Sequence, residues 1–246
     1  MLHAFAKTDT GKTRSLNQDA IFACTEPVGA LPNLFIIADG MGGHNGGEIA
    51  SKTAISAFVN FINTNNTVSA ENILDLLTSA AKHANHAVLQ EAEQNPDLSG
   101  MGTTLTACAI INDGLSDKYN LVHIGDSRAY TINQDAITQL TTDHTFVSEM
   151  IKAGQMSQSE ARDHPKRSAL TRVLGIALDM NFDGYIQKIE PGTNILLCSD
   201  GLYNMISENE IKELSNNSEN PAEDLVSAAN ANGGTDNISV ILIKID

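Results

Sequence analysis

Four aspartates stand where an apolar, β-branched run stops at a glycine turn or beside one: Asp39 in FIIADGMGG, Asp126 in LVHIGDSR, Asp200 in ILLCSDG and Asp236 in GGTDNISV. A strand end next to glycine lets short carboxylates and backbone carbonyls converge on one point. Hard divalent cations want that oxygen-rich arrangement, so the pattern reads as a metal site built on strand ends.

The runs at 21–24, 33–39, 103–111, 119–125, 128–132, 193–200 and 237–245 are short, β-branched and bounded by Gly, Asn, Asp or Pro, and read as strands. Helical spacing of apolar residues predicts helices from Gly47 to about Asn63 and from Ala70 to about Glu93. A third helix is expected within 220–234, with Asn220 as N-cap, Pro221 at its first position and glycine past its end. Strict βαβ alternation is missing, which argues for an α+β chain of largely antiparallel sheets covered by helices. From Asp143 to about Leu174 periodicity weakens, and a surface flap with one or two short helices is expected. No linker-like stretch divides the 246 residues, so 1–246 is expected to form a single domain.

The formal charge of −15 opposes nucleic acid and anionic membrane surfaces, both of which require Lys/Arg-rich faces. A two-metal nuclease is disfavoured on the same ground, with 15 basic residues against 30 acidic ones. The N-terminus lacks a charged-then-apolar signal pattern, and no apolar run is long enough for a spanning helix, so a cytoplasmic location is expected. Cys24, Cys108 and Cys198 show no CxxC spacing, and the latter two read as small core residues.

Taken in order, RSLNQD (14–19), DGMGGH (39–44), GTT (102–104), GDSRAY (125–130), SDG (199–201) and GGTDN (233–237) resemble the metal-dependent PPM/PP2C serine/threonine phosphatases, especially the compact bacterial type. One aspartate–glycine pair is common turn chemistry; six motifs in order across nearly the whole chain are specific. The resemblance implies an αββα sandwich, two mainly antiparallel sheets flanked by helices, with two Mn²⁺ or Mg²⁺ ions at the sheet ends. It implies that Asp39 bridges both ions with the Gly40 carbonyl on one, and that Asp200 and Asp236 complete the other. Asp19 then acts mainly through metal-bound water, and Asp126 holds a third, weaker ion shared with Asp200. Phosphorylated proteins are the implied substrates, with a cognate Ser/Thr kinase as counterpart and a monomer as the working form.

Such ions keep several waters and can activate one of them for attack on phosphorus, so no protein nucleophile is required. Arg14 matches the family arginine that grips the substrate phosphate, a task suited to a permanently charged guanidinium with paired donors. Its plain alternative is a surface salt bridge. Where many eukaryotic relatives carry a proton-donating histidine, this chain has Met41. His44 is then a candidate general acid, set against a turn-capping role and against metal-bound water as donor. His123 reads as a hydrogen-bonded core residue, and Asn17 as the holder of its turn. Lys152, Lys166, Arg167 and Arg172 in the flap are candidates for substrate contact. A catalytically silent phosphoprotein-binding protein of the same fold is the alternative function, and loss of a core ligand or of Arg14 would mark it.

Overall fold

A computed structural model describes residues 2–43, 45–65, 72–112, 114–162 and 164–245 of the chain. Eleven strands fall into two sheets, and every neighbouring pair is antiparallel. The first sheet holds β1 (Leu2–Asp9), β11 (Ile238–Ile245), β10 (Asn194–Cys198), β7 (Arg128–Ile132) and β8 (Ile137–Gln139), in that order. The second runs β2 (Asp19–Cys24), β3 (Leu34–Met41), β5 (Leu105–Asn112), β6 (Asp117–Ile124) and β9 (Asp183–Lys188), with short β4 (Gly102–Thr103) added to β3.

Side chains on a strand alternate between faces, and here both faces are covered, so the central strands are apolar throughout. On β3, Phe35 and Ile37 point into the core between the sheets, where Cys108, Leu121, Leu197 and Ile241 meet them. Leu34, Ile36 and Ala38 point the other way, onto α1 (Gly46–Thr64) and α2 (Ile73–Gln94). The first sheet's outer face, with Leu196, Cys198, Val240 and Leu242, packs against α5 (Asp200–Tyr203), α6 (Glu208–Asn217) and α7 (Pro221–Ala231). The layers are therefore helix, sheet, sheet, helix, as expected. The Cys108 and Cys198 thiols are pushed up to about 12 by burial, in keeping with inert core residues.

The flap carries α3 (Phe146–Lys152) and α4 (Gln158–Arg162). Pro221 opens α7 as expected and Asn220 occupies the N-cap position, although its side chain makes no capping bond. The start expected for the second helix, at 70–71, lies outside the described residues. Strands β1, β8 and β9 and helices α5 and α6 are not expected from the sequence pattern, and the strand expected over 193–200 ends at Cys198, with Asp200 opening α5. The first three are edge strands or short, so one face meets water and the apolar signal thins. Helix α6 had a readable signal, Ser207 three residues before Glu210, and the Ser207 hydroxyl does accept the Glu210 N–H. Among the described residues no helix is long and apolar enough to cross a membrane.

Candidate metal centre

At one end of the sandwich the interior turns from apolar to polar without any change in strand parity. On β3 the inward series Phe35, Ile37 continues to Asp39; on β2, Ile21 lies two residues from Asp19. The β2–β3 register sets Asp19 directly opposite Asp39, so two carboxylates share one face at neighbouring positions. From the other sheet side, the hydroxyls of Ser199 and Ser239 donate to Asp19 Oδ2 at 2.8 and 2.7 Å. Asp19 Oδ1 is buried and has no hydrogen-bond partner.

Three more carboxylates arrive on turns. Asp126 follows Gly125, whose φ of +110° suits glycine, and a Cβ on Gly125 would run into Thr104. The Tyr203 hydroxyl donates to the Asp126 carbonyl at 3.0 Å. Asp200 is the first residue of α5, one position past Ser199. Asp236 precedes β11 and accepts a 2.8 Å bond from Arg14 Nη2. Asn237 fastens the Arg14 loop: its side chain accepts the Gln18 N–H and donates to the carbonyls of Thr10 and Leu16. Asn17 holds the same turn, accepting the Asp19 N–H and donating to Thr8.

Burial, reinforced by neighbouring carboxylates, raises Asp19, Asp39, Asp126 and Asp200. Burial pushes Asp19 up to about 6, with Asp236 adding to it against the Ser199 and Ser239 hydroxyls. Burial and then the Asp143 charge push Asp126 up to about 7. Burial and the charges of Asp126 and Asp236 push Asp200 up to about 8. Asp39 is held well above the usual range by burial and by Asp19, Asp200, Asp126 and Asp236. Five carboxylates thus gather with Arg14 and Arg128 as nearby cations, an excess of negative charge that calls for further cations.

Among the described residues, no three acidic, histidine or cysteine side chains close into a ready-made cage. An open, all-oxygen set with an unpartnered carboxylate oxygen suits Mg²⁺ or Mn²⁺, which retain water and need few protein ligands. The charges of Asp19, Asp200, Asp126 and Asp236 all act on Asp39. The Gly40 carbonyl lies against the first turn of α1, and a Cβ on Gly40 would overlap the carbonyl of Gly47.

A cleft of about 1340 Å³ runs from Asp126, Asp200 and Asp236 to the flap residues Thr145, Val147 and Ser148. Arg128 lines it too, clamped by Asp143, bonded to the Tyr130 hydroxyl and lying 3.6 Å over the Tyr203 ring. This arginine, with Tyr203, Ser199, Ser239 and Asn237, went unnoticed in the sequence although each sits within or beside a motif. Of the flap cations, Arg167 lines the cleft, joined by Arg162, whereas Lys152, Lys166 and Arg172 do not. Lys166 lies over the Phe146 ring, and Arg172 is held by Asp183. His44 lies outside the described residues. His123 is fully buried and hydrogen-bonded to Thr106 and the Thr142 carbonyl, as read from its strand.

Residues 10–242 match the protein phosphatase 2C family. The chain is 34% identical to the serine/threonine phosphatase stp of Listeria innocua over 249 aligned residues, covering 99% of this chain and 96% of the relative. It is similar to the solved S. agalactiae serine/threonine phosphatase, with a TM-score of 0.91, 33% identity and full coverage of both chains. It is also similar to the catalytic domain of the serine/threonine protein phosphatase PstP, solved in complex with two manganese ions, with a TM-score of 0.84, 33% identity and coverage of 100% and 99%.

The raised carboxyls make a prediction about metal-free protein. Unfolded, these groups ionise near 3.9, whereas folded Asp126 and Asp200 keep protons up to about 7 and 8. The native state therefore binds more protons, and stability should fall as pH rises through this window. His123, pulled down to about 3 chiefly by burial, acts oppositely below about 6.5, and the buried Cys108 and Cys198 add a decline of the same sign near pH 8 and above, so pH 6.5 to 7.5 is the clean range. Urea unfolding in EDTA should show stability declining across that range, and Mn²⁺ should flatten the decline; stability rising with pH would contradict the clustering.

Proposed function

The chain belongs to the protein phosphatase 2C family, and from that premise we propose that its acidic cleft is the active centre. The protein is a metal-dependent serine/threonine phosphatase, a phosphoric monoester hydrolase acting on phosphorylated proteins. The observation that carries the assignment of residues is the gathering of Asp19, Asp39, Asp126, Asp200 and Asp236, each on a family motif, with Asp126, Asp200 and Asp236 lining the flap-walled cleft. Nothing favours the silent binding protein, since every candidate ligand and Arg14 are present.

In this reading Asp39, the Gly40 carbonyl, Asp200 and Asp236 would hold two Mn²⁺ or Mg²⁺ ions, Asp19 would act mainly through their water, and Asp126 with Asp200 would hold a third. When bound, the ions supply Lewis acidity, lowering the pKa of a water and screening the phosphate charge. The chain's own groups do the rest. Arg14 has an exposed side chain and five N–H donors; one bonds Asp236, and others can meet phosphoryl oxygens as charge spreads in the transition state. The guanidinium thus serves both as salt bridge and as phosphate clamp, which unites the two readings of Arg14. His44 donates the proton to the departing serine or threonine oxygen. We take residues 1–246 as one phosphatase unit, working as a monomer in the cytoplasm against a cognate Ser/Thr kinase.

Asp39→Asn should lower turnover on a phosphothreonine peptide by several orders of magnitude while the protein stays folded, and EDTA should abolish wild-type activity. A variant within about tenfold of wild type would remove Asp39 from the centre. Arg14→Ala should reduce kcat/KM by about 10–1,000-fold; unchanged kinetics would leave the salt bridge as its whole role. His44→Gln should impair the phosphothreonine peptide far more than p-nitrophenyl phosphate, whose phenolate leaves without a proton. Equal losses on both substrates would assign His44 to structure.

A further inference from the structure

The flap rises from two feet that reach the same carboxylate. At its N-terminal foot, His144 Nε2 lies 3.1 Å from Asp183 Oδ2; at its C-terminal foot, Arg172 Nη1 donates to Asp183 Oδ1 at 2.9 Å. Between the feet the chain is zipped at its base, with Thr145 bridged to Leu170 and the Thr171 N–H donating to the His144 carbonyl.

His144 also reaches the centre. Its Nδ1 accepts the Gly125 N–H at 3.0 Å, which places the ring proton on Nε2 for donation to Asp183. Its own N–H donates to the Gly125 carbonyl at 2.8 Å. Gly125 is thus gripped on both sides by one residue, one position before Asp126. Behind it the fully buried His123 ring lies 4.9 Å away, tilted against the His144 ring, its strand position paired with Asp183.

Resting on the phosphatase reading of the cleft, we propose that Asp183 is a positioning residue that fastens both feet of the flap and, through His144, fixes the Gly125–Asp126 turn. Asp183 stands at the start of edge strand β9 and does not line the cleft. It acts through His144 and Arg172, setting how the flap wall faces the carboxylates and so how a phosphorylated segment is held between them. A partly exposed pair of this kind adds little to global stability, so its effect should be local.

The test is Asp183→Asn, which keeps the shape but turns an amide donor toward one of two donors, so that both feet cannot stay bonded. Urea unfolding should remain close to wild type, while hydrogen exchange at Gly125 and across 145–171 should quicken by about tenfold. KM for a phosphothreonine peptide should rise about three- to tenfold, and KM for p-nitrophenyl phosphate should change less. Unchanged exchange would overturn the proposal, and so would faster exchange with the peptide KM unmoved, which is the behaviour of a purely structural brace. If Asp183→Asn fails to fold, Arg172→Leu keeps the His144–Asp183 bond and poses the same test at the C-terminal foot. An inactive wild type would refute the phosphatase reading and leave the exchange result to judge the tie itself.

Discussion

Asp19 and Asp39 face each other across two antiparallel strands, inside a sandwich whose next inward residues are Ile21, Ile37 and Phe35. Like charges directly opposite on a sheet repel, and burial removes the water that would screen them. The fold accommodates the pair partly by bracing Asp19 with two serine hydroxyls, Ser199 just past the end of β10 and Ser239 on β11, which ties the two sheets together at that end. The remaining charge, including an unpartnered Asp19 oxygen, has no protein answer, and divalent cations are the physical answer. Stability and catalysis draw on the same carboxylates.

The surrounding architecture follows from holding those ends in place. Asn237 ties the Arg14 loop to the turn bearing Asp236, and Gly201 lies so close to the Asn237 carbonyl that a side chain there would overlap it. Arg128 and Tyr203 brace the Asp126 turn from one side, while His144 grips it from the other. The flap is connected through these contacts to the end of the sandwich where the carboxylates gather.

Much of this was legible in the sequence because the motifs and the strand ends coincide. The apolar runs at 33–39, 103–111 and 237–245 are buried on both faces, and such strands announce themselves by composition alone. The carboxylate positions were legible because aspartate beside glycine at a strand end has a limited set of uses. Edge strands β1 and β9 were hidden by their half-wet faces. The second tier of the site was hidden for another reason: Ser199, Ser239 and Asn237 are ordinary turn and strand residues until register brings them onto Asp19 and the Arg14 loop. Asp183 belongs to this class, since its partners are 39 and 11 residues away. The flap cations show the limit of charge counting, because Arg172 and Lys166 carry charge yet spend it on Asp183 and on the Phe146 ring.

The central claim is that buried aspartates hold protons until divalent cations replace them. Calorimetric titration of the metal-free protein with Mn²⁺ in buffers of different ionisation enthalpy counts the protons released on binding. Release should be largest near pH 6 and decline as the pH passes about 9, where Asp126 and Asp200 have ionised. Tight Mn²⁺ binding without proton release at any pH would contradict the claim, and would place the metal on groups other than this buried cluster.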